Sequence, residues 1–60
     1  MSPAAATRVK VVREIREQLR RTGLNYEAAQ KYVKFDAGSH TDQLKIAALV
    51  LRDLPSKAEG

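Results

Sequence analysis

Six basic side chains fall between Arg8 and Arg21 (Arg8, Lys10, Arg13, Arg16, Arg20 and Arg21), against two acidic ones, Glu14 and Glu17. The rest of the 60-residue chain carries five of each sign, so this fourteen-residue stretch holds the whole net charge of +4. Guanidinium groups make forked hydrogen bonds to phosphate oxygens, and each phosphate neutralised adds salt-dependent affinity through counterion release. At about 100° per residue, Arg13, Arg16 and Arg20 form a ridge on one flank of a helix, with Lys10 and Arg21 nearby. Glu17 can pair with Arg13, Arg20 and Arg21 at helical spacing, which leaves Arg16 the least compensated charge. The pattern suits a phosphate backbone laid along the helix. A solvated face satisfied by its own ion pairs is the competing reading.

Catalytic chemistry is poorly provided for. His40 is the only histidine and falls at an expected helix cap, and cysteine is absent. There is no glycine-rich phosphate loop and no carboxylate pair at a spacing suited to acid–base work. The chain reads as a non-enzyme, with no cofactor and no metal site. Tyr26, Tyr32 and Phe35 have faces on which bases could stack, but their helical spacing beside alanines places them in a core, with Tyr26 at its edge.

The elements that would position these groups are helical. Thr7 is a plausible N-cap for a first helix running to Thr22, closed by Gly23. Its buried stripe would be Val11, Val12, Ile15 and Leu19. Asn25 caps a second helix expected to reach Phe35, with Ala28, Ala29, Tyr32, Val33 and Phe35 facing inward and Glu27, Gln30, Lys31 and Lys34 outward. Ser39-His40-Thr41-Asp42 resembles a capping box for a third helix, Thr41 being the rival cap, and Pro55 stops that helix after Leu54. Leu44, Ala47, Ala48, Leu51 and Leu54 form its core face. Ile46, Leu49 and Val50 extend the apolar surface beyond what a peripheral helix requires. Either this helix is central, or its extra edge meets another molecule.

Two DNA-binding arrangements fit parts of this pattern. As a helix-turn-helix, residues 13–22 would position and 26–35 would recognise, with Gln30 addressing an adenine edge and Lys31 and Lys34 holding phosphates. As a ribbon-helix-helix dimer, Arg8–Val12 would be a strand, because Val9 and Val11 alternate with charges. That arrangement ranks below three helices.

The stretch Glu17–Ser39 resembles the ubiquitin-associated (UBA-like) three-helix family through Gly23-Leu24, Ala29, Val33 and Gly38-Ser39. The resemblance implies a three-helix architecture. It also implies a small apolar contact made by Thr22, Gly23 and Leu24 with Leu51 and Leu54. His40 and Gln43 stand where the family has small and apolar residues, which puts the third helix out of register or moves it later in the chain.

A chain this short buries only about 60% of the surface it exposes when unfolded, and without cysteine no disulfide or thiolate site can staple it. The expectation is one all-α domain over residues 1–60, a compact three-helix bundle of UBA-like or helix-turn-helix-like form, ordered over about 7–55 with frayed ends. No signal peptide and no membrane span is read from the sequence, so a cytoplasmic protein is expected, nuclear if eukaryotic. The expected function is nucleic-acid binding, DNA favoured, in a regulatory or accessory role. Lys10, Arg13, Arg16, Arg20, Arg21, Gln30, Lys31 and Lys34 would make the contacts. Leu24 in the loop after the first helix, with Ile46, Leu49 and Val50, would meet a partner or a second copy, self-association running through the third helix. The alternatives are a UBA-like module binding an acidic protein surface and a homo-oligomeric assembly protein.

Overall fold

The stripe Val11, Val12, Ile15 and Leu19 forms the inner face of a helix that begins earlier than the sequence suggests. In the computed structural model, which describes residues 3–57, helix α1 spans Pro3–Thr22. Proline is well suited to a first helical position, where its missing N–H leaves no bond unmade, and the alanines after it are the strongest helix formers. Thr7 is therefore inside the helix and not its cap; its hydroxyl donates back to the Pro3 carbonyl at 2.9 Å. Of the ends expected to fray, Pro3–Ala6 is placed in α1, while Met1, Ser2 and residues 58–60 lie outside the described residues. Arg8–Val12 is helical, so the strand of a ribbon-helix-helix does not form.

Gly23 ends α1 as expected. Its φ of +74° lies in the left-handed region, and its N–H donates to the Leu19 carbonyl at 2.9 Å, a left-handed helix stop. Asn25 caps α2, its Oδ1 accepting from the Ala28 N–H at 2.8 Å. Yet α2 is a single turn, Tyr26–Ala29. Lys31 and Tyr32 then bond three residues back, to Ala28 and Ala29, and the chain opens into a link before Phe35. This corrects the expected helix over 26–35. Phe35 is buried in the core through this departure, while Tyr32, expected inside, is 57% exposed.

The link lacks a helical ladder, so side chains satisfy its carbonyls. Gln30 Nε2 donates to Phe35 O at 2.8 Å, Gln43 Nε2 donates to Lys34 O, and Arg8 donates to Ala37 O at 2.9 Å and Ser39 O at 2.8 Å. An Asx turn closes the link, Asp36 Oδ1 accepting from the Gly38 N–H at 2.8 Å. Helix α3 spans Thr41–Arg52, and its N-cap is His40, whose Nδ1 accepts from the Asp42 N–H at 3.4 Å, in place of the expected Ser39 or Thr41. Ser39 instead turns its hydroxyl to the Asp36 N–H at 2.8 Å.

The core is the seam between α1 and α3, closed by the link. Ile15 and Leu19 meet Leu44, Ala47, Ala48 and Leu51, with Ala29 and Phe35 completing the cluster. The fully buried Ala47 and the nearly buried Ala48 let the backbones approach closely. Helix α3 is not central, because Ile46 and Leu49 are 49% and 56% exposed.

Polar contacts fasten this seam at both ends. Arg8 reaches the approach to α3, and Arg21 reaches its end, so the two helices run side by side in the same sense. The Arg21 guanidinium donates to the carbonyls of Leu51 (3.1 Å) and Arg52 (3.3 Å) and to Ser56 Oγ (2.9 Å), while its Nε donates to Gln18 Oε1 (2.7 Å). The last carbonyls of a helix fall outside its regular ladder and carry its negative dipole end, so a cation there is favoured, although Leu51 O also accepts from the Leu54 N–H at 3.2 Å. Between the two clamps Glu14 pairs with Arg52. Substituting Arg21→Ala is expected to lower stability by about 1–2 kcal/mol, whereas Arg13→Ala on the outer face should stay within about 0.5 kcal/mol; urea denaturation of both variants checks this.

Candidate nucleic-acid interface

The six cations of the first helix divide into two groups with different work. Arg8 and Arg21 are part-buried and hydrogen-bonded to backbone carbonyls across the seam. Lys10, Arg13, Arg16 and Arg20 are exposed on the outer side of α1. Arg20 makes only a loose pair with Glu17, 3.8 Å apart, with both side chains more than half exposed. Among the described residues Lys10, Arg13 and Arg16 have no hydrogen-bond or ion-pair partner. Glu14 faces α3 and Arg52, so it adds nothing to the balance of this outer face.

From Arg13 to Arg20 the helix rises about 10.5 Å, at about 1.5 Å per residue. That matches about three nucleotides of one strand, at about 3.4 Å each. A groove lined by Arg8, Val9, Val12, Arg13 and Arg16 runs along this side of α1. The residues Arg8, Val12 and Arg16, one ridge of the helix at four-residue spacing, separate it from a cavity of about 160 Å³. Tyr26, Phe35, Asp36, Ala37 and Leu44 form much of the rest of that cavity's wall. Tyr26 is held against Phe35, ring centroids 5.9 Å apart, and remains 47% exposed.

The other expected contacts are placed differently. Gln30 is engaged by the Phe35 carbonyl, and a single-turn α2 is too short to lie in a groove as a recognition helix, so the adenine reading assigned to it is set aside. Lys31 and Lys34 are exposed on the turn and link. Lys34 borders a separate hollow with Gln30, Phe35, Asp36, Ser39 and Gln43, which no residue of α1 lines. Leu24 is half-buried beside Thr22, Tyr32, Leu54 and Pro55. Leu51 of the implied apolar contact is fully buried, and the stem of Lys57 lies over Gly23 so closely that a Cβ there would come within 2.8 Å of its Cδ.

Sequence reasoning missed Arg8 and Arg21 as clamps and Asp36 as a wall of the cavity. No local signal marks them, because their partners lie about thirty residues away or across a link whose path was not expected. Among the described residues no group of three or more His, Cys, Asp or Glu could hold a metal ion, and no helix is long and apolar enough to cross a membrane. No protein-family model, no curated protein and no solved structure matches this chain. Because Gln30 supplies a backbone carbonyl with its donor, Gln30→Ala is expected to destabilise the domain by about 1 kcal/mol, read as a fall in the thermal midpoint, without changing affinity for any nucleic acid.

Proposed function

We propose that this protein binds nucleic acid, DNA by preference, through the outer face of α1, in a regulatory or accessory role. One observation carries the reading: Lys10, Arg13 and Arg16 are exposed cations without a partner among the described residues, and Arg20 continues their line with only a loose one. Arginines that hold the fold have carbonyl or carboxylate partners, as Arg8, Arg21 and Arg52 do. Among the described residues Arg13 and Arg16 of the ridge are held by no such contacts, and Arg20 only by its loose pair with Glu17. A line of unneutralised guanidinium groups favours a polyanion of matching pitch, and phosphate contacts of this kind position the protein without reading sequence. Lys34 extends the basic surface on the far side of Phe35 and Asp36, and Lys31 is exposed on the turn before it.

Pairing of copies through Ile46, Leu49 and Val50 is part of the same reading. At about 100° per residue Asp42 and Asp53 close this stripe at its two ends. Two stripes laid lengthwise would set aspartates against aspartates, so paired copies must cross at an angle. Three side chains fall well short of the 1,200–2,000 Å² or so of a stable interface. Copies held close on one strand would nevertheless meet at high effective concentration.

Affinity for DNA is expected to fall as salt is raised, and Arg16→Ala should reduce the slope of log K against log salt by about one unit or slightly less. Arg16→Glu should weaken binding more than the alanine variant. Binding that is indifferent to salt, or to charge reversal at Arg16, overturns the proposal. For the pairing, sedimentation at high protein concentration should show association that Leu49→Asp removes; persistence of dimers in that variant places the contact elsewhere.

A further inference from the structure

The cavity beside the arginine ridge has a character that backbone binding alone does not use. Its wall is apolar and in part aromatic, from Val12, Ile15, Tyr26, Phe35 and Leu44. Its rim is polar, with Arg16 on α1 and Asp36 on the link. Arg8 also borders it, but its donors are held by the carbonyls of Ala37 and Ser39. Arg16 and Asp36 do not form an ion pair with each other. Asp36 Oδ1 accepts from Gly38, while Oδ2 has no hydrogen-bond partner among the described residues. The site therefore presents a free cation and a free acceptor on the rim of an apolar pocket.

A flat group with apolar faces, a donor on its edge and an anion one linkage away satisfies all three features. A nucleobase on its sugar-phosphate is such a group. A volume on the order of 150 Å³ admits one small aromatic ring system, and the cavity at about 160 Å³ has room for one base and no stack. A base in a duplex is excluded, since both its faces are stacked and its edge is paired. Resting on the proposed nucleic-acid function, we infer that this cavity takes one unstacked base of a single strand. Its face lies against Tyr26, its amino edge donates to Asp36, and its neighbouring phosphate meets Arg16. Stacking on an exposed aromatic ring tolerates any base, but the carboxylate acceptor favours those with an exocyclic amino group. Thymine, which lacks one and flanks its single ring N–H with two carbonyl oxygens that repel a carboxylate, is disfavoured. Tyr26 gives the base its platform while Phe35, buried behind it, fixes the ring's position.

The test is fluorescence anisotropy of the full chain with labelled twelve-residue oligonucleotides at one low salt concentration: oligo-dC, oligo-dT, and oligo-dC annealed to its complement. Oligo-dC is expected to bind about ten-fold more tightly than oligo-dT or the duplex, and Tyr26→Ala to lower its affinity about ten-fold with duplex binding unchanged. Tyr26→Phe should restore it, and circular dichroism confirms that both variants fold. The chain has two tyrosines and no tryptophan, so in a Tyr32→Phe background the tyrosine emission reports Tyr26 alone and should be quenched by oligo-dC. Equal, salt-dependent binding of all three oligonucleotides, unaffected by Tyr26→Ala, overturns the base pocket and leaves backbone binding standing. Failure to bind any nucleic acid, with binding to poly-glutamate instead, overturns both and makes the ridge a surface for an acidic protein.

Discussion

The fold rests on two guanidinium groups that hold α1 to the two ends of α3. Arg8 takes the carbonyls of Ala37 and Ser39 on the approach to α3, and Arg21 takes those of Leu51 and Arg52 at its end. The core between them is small, eight buried side chains among the described residues, of which three are alanines. A chain of this length has little apolar surface to bury and no disulfide to supplement it. Charge-assisted hydrogen bonds to carbonyls at the two ends of α3 are then a large share of what fixes the register of one helix on the other. Remove either clamp and the seam over Ala47 and Ala48 has little to prevent sliding, because small side chains offer shallow interlocking.

That division of labour shapes the electrostatics. The basic segment looks uniform along the chain, but folding draws Arg8 and Arg21 inward and turns Glu14 toward Arg52. What remains outside is Lys10, Arg13, Arg16 and Arg20, with Glu17 the single acid among them. The field is thus narrower than the composition suggests and also less diluted, since one of its two acids faces the other way. Arg16 of this ridge also lines the aromatic cavity, so the charge and the apolar pocket adjoin.

The link between α2 and α3 makes that pocket. An α2 carried through to Phe35 would have put Tyr32 inside and kept Lys34 and Phe35 on a regular helix. Ending α2 after one turn sends Phe35 into the core and leaves Tyr26 leaning on it at the surface. Gln30, Gln43 and Arg8 make this path possible by supplying donors to four carbonyls that no helix serves. Backbone outside a regular ladder needs such partners, and three side chains from three parts of the chain converge to provide them.

Much of this was legible in the residues. The stripes Val11–Val12–Ile15–Leu19 and Leu44–Ala47–Ala48–Leu51, the left-handed stop at Gly23 and the Asn25 cap are all written in local spacing and local chemistry, and the all-α architecture follows from them. Periodicity reports which face of a segment is apolar, and caps act over a few residues, so the chain by itself determined these. It singled out Arg16 as the least compensated charge, whereas Lys10 and Arg13 are equally without a partner among the described residues, Glu17 pairing with Arg20 alone. Tertiary structure alone decided where α2 stops, which arginines hold the fold, and that Gln30 serves the backbone. A long polar side chain can reach many partners, and which one it takes depends on backbone groups brought beside it from thirty residues away.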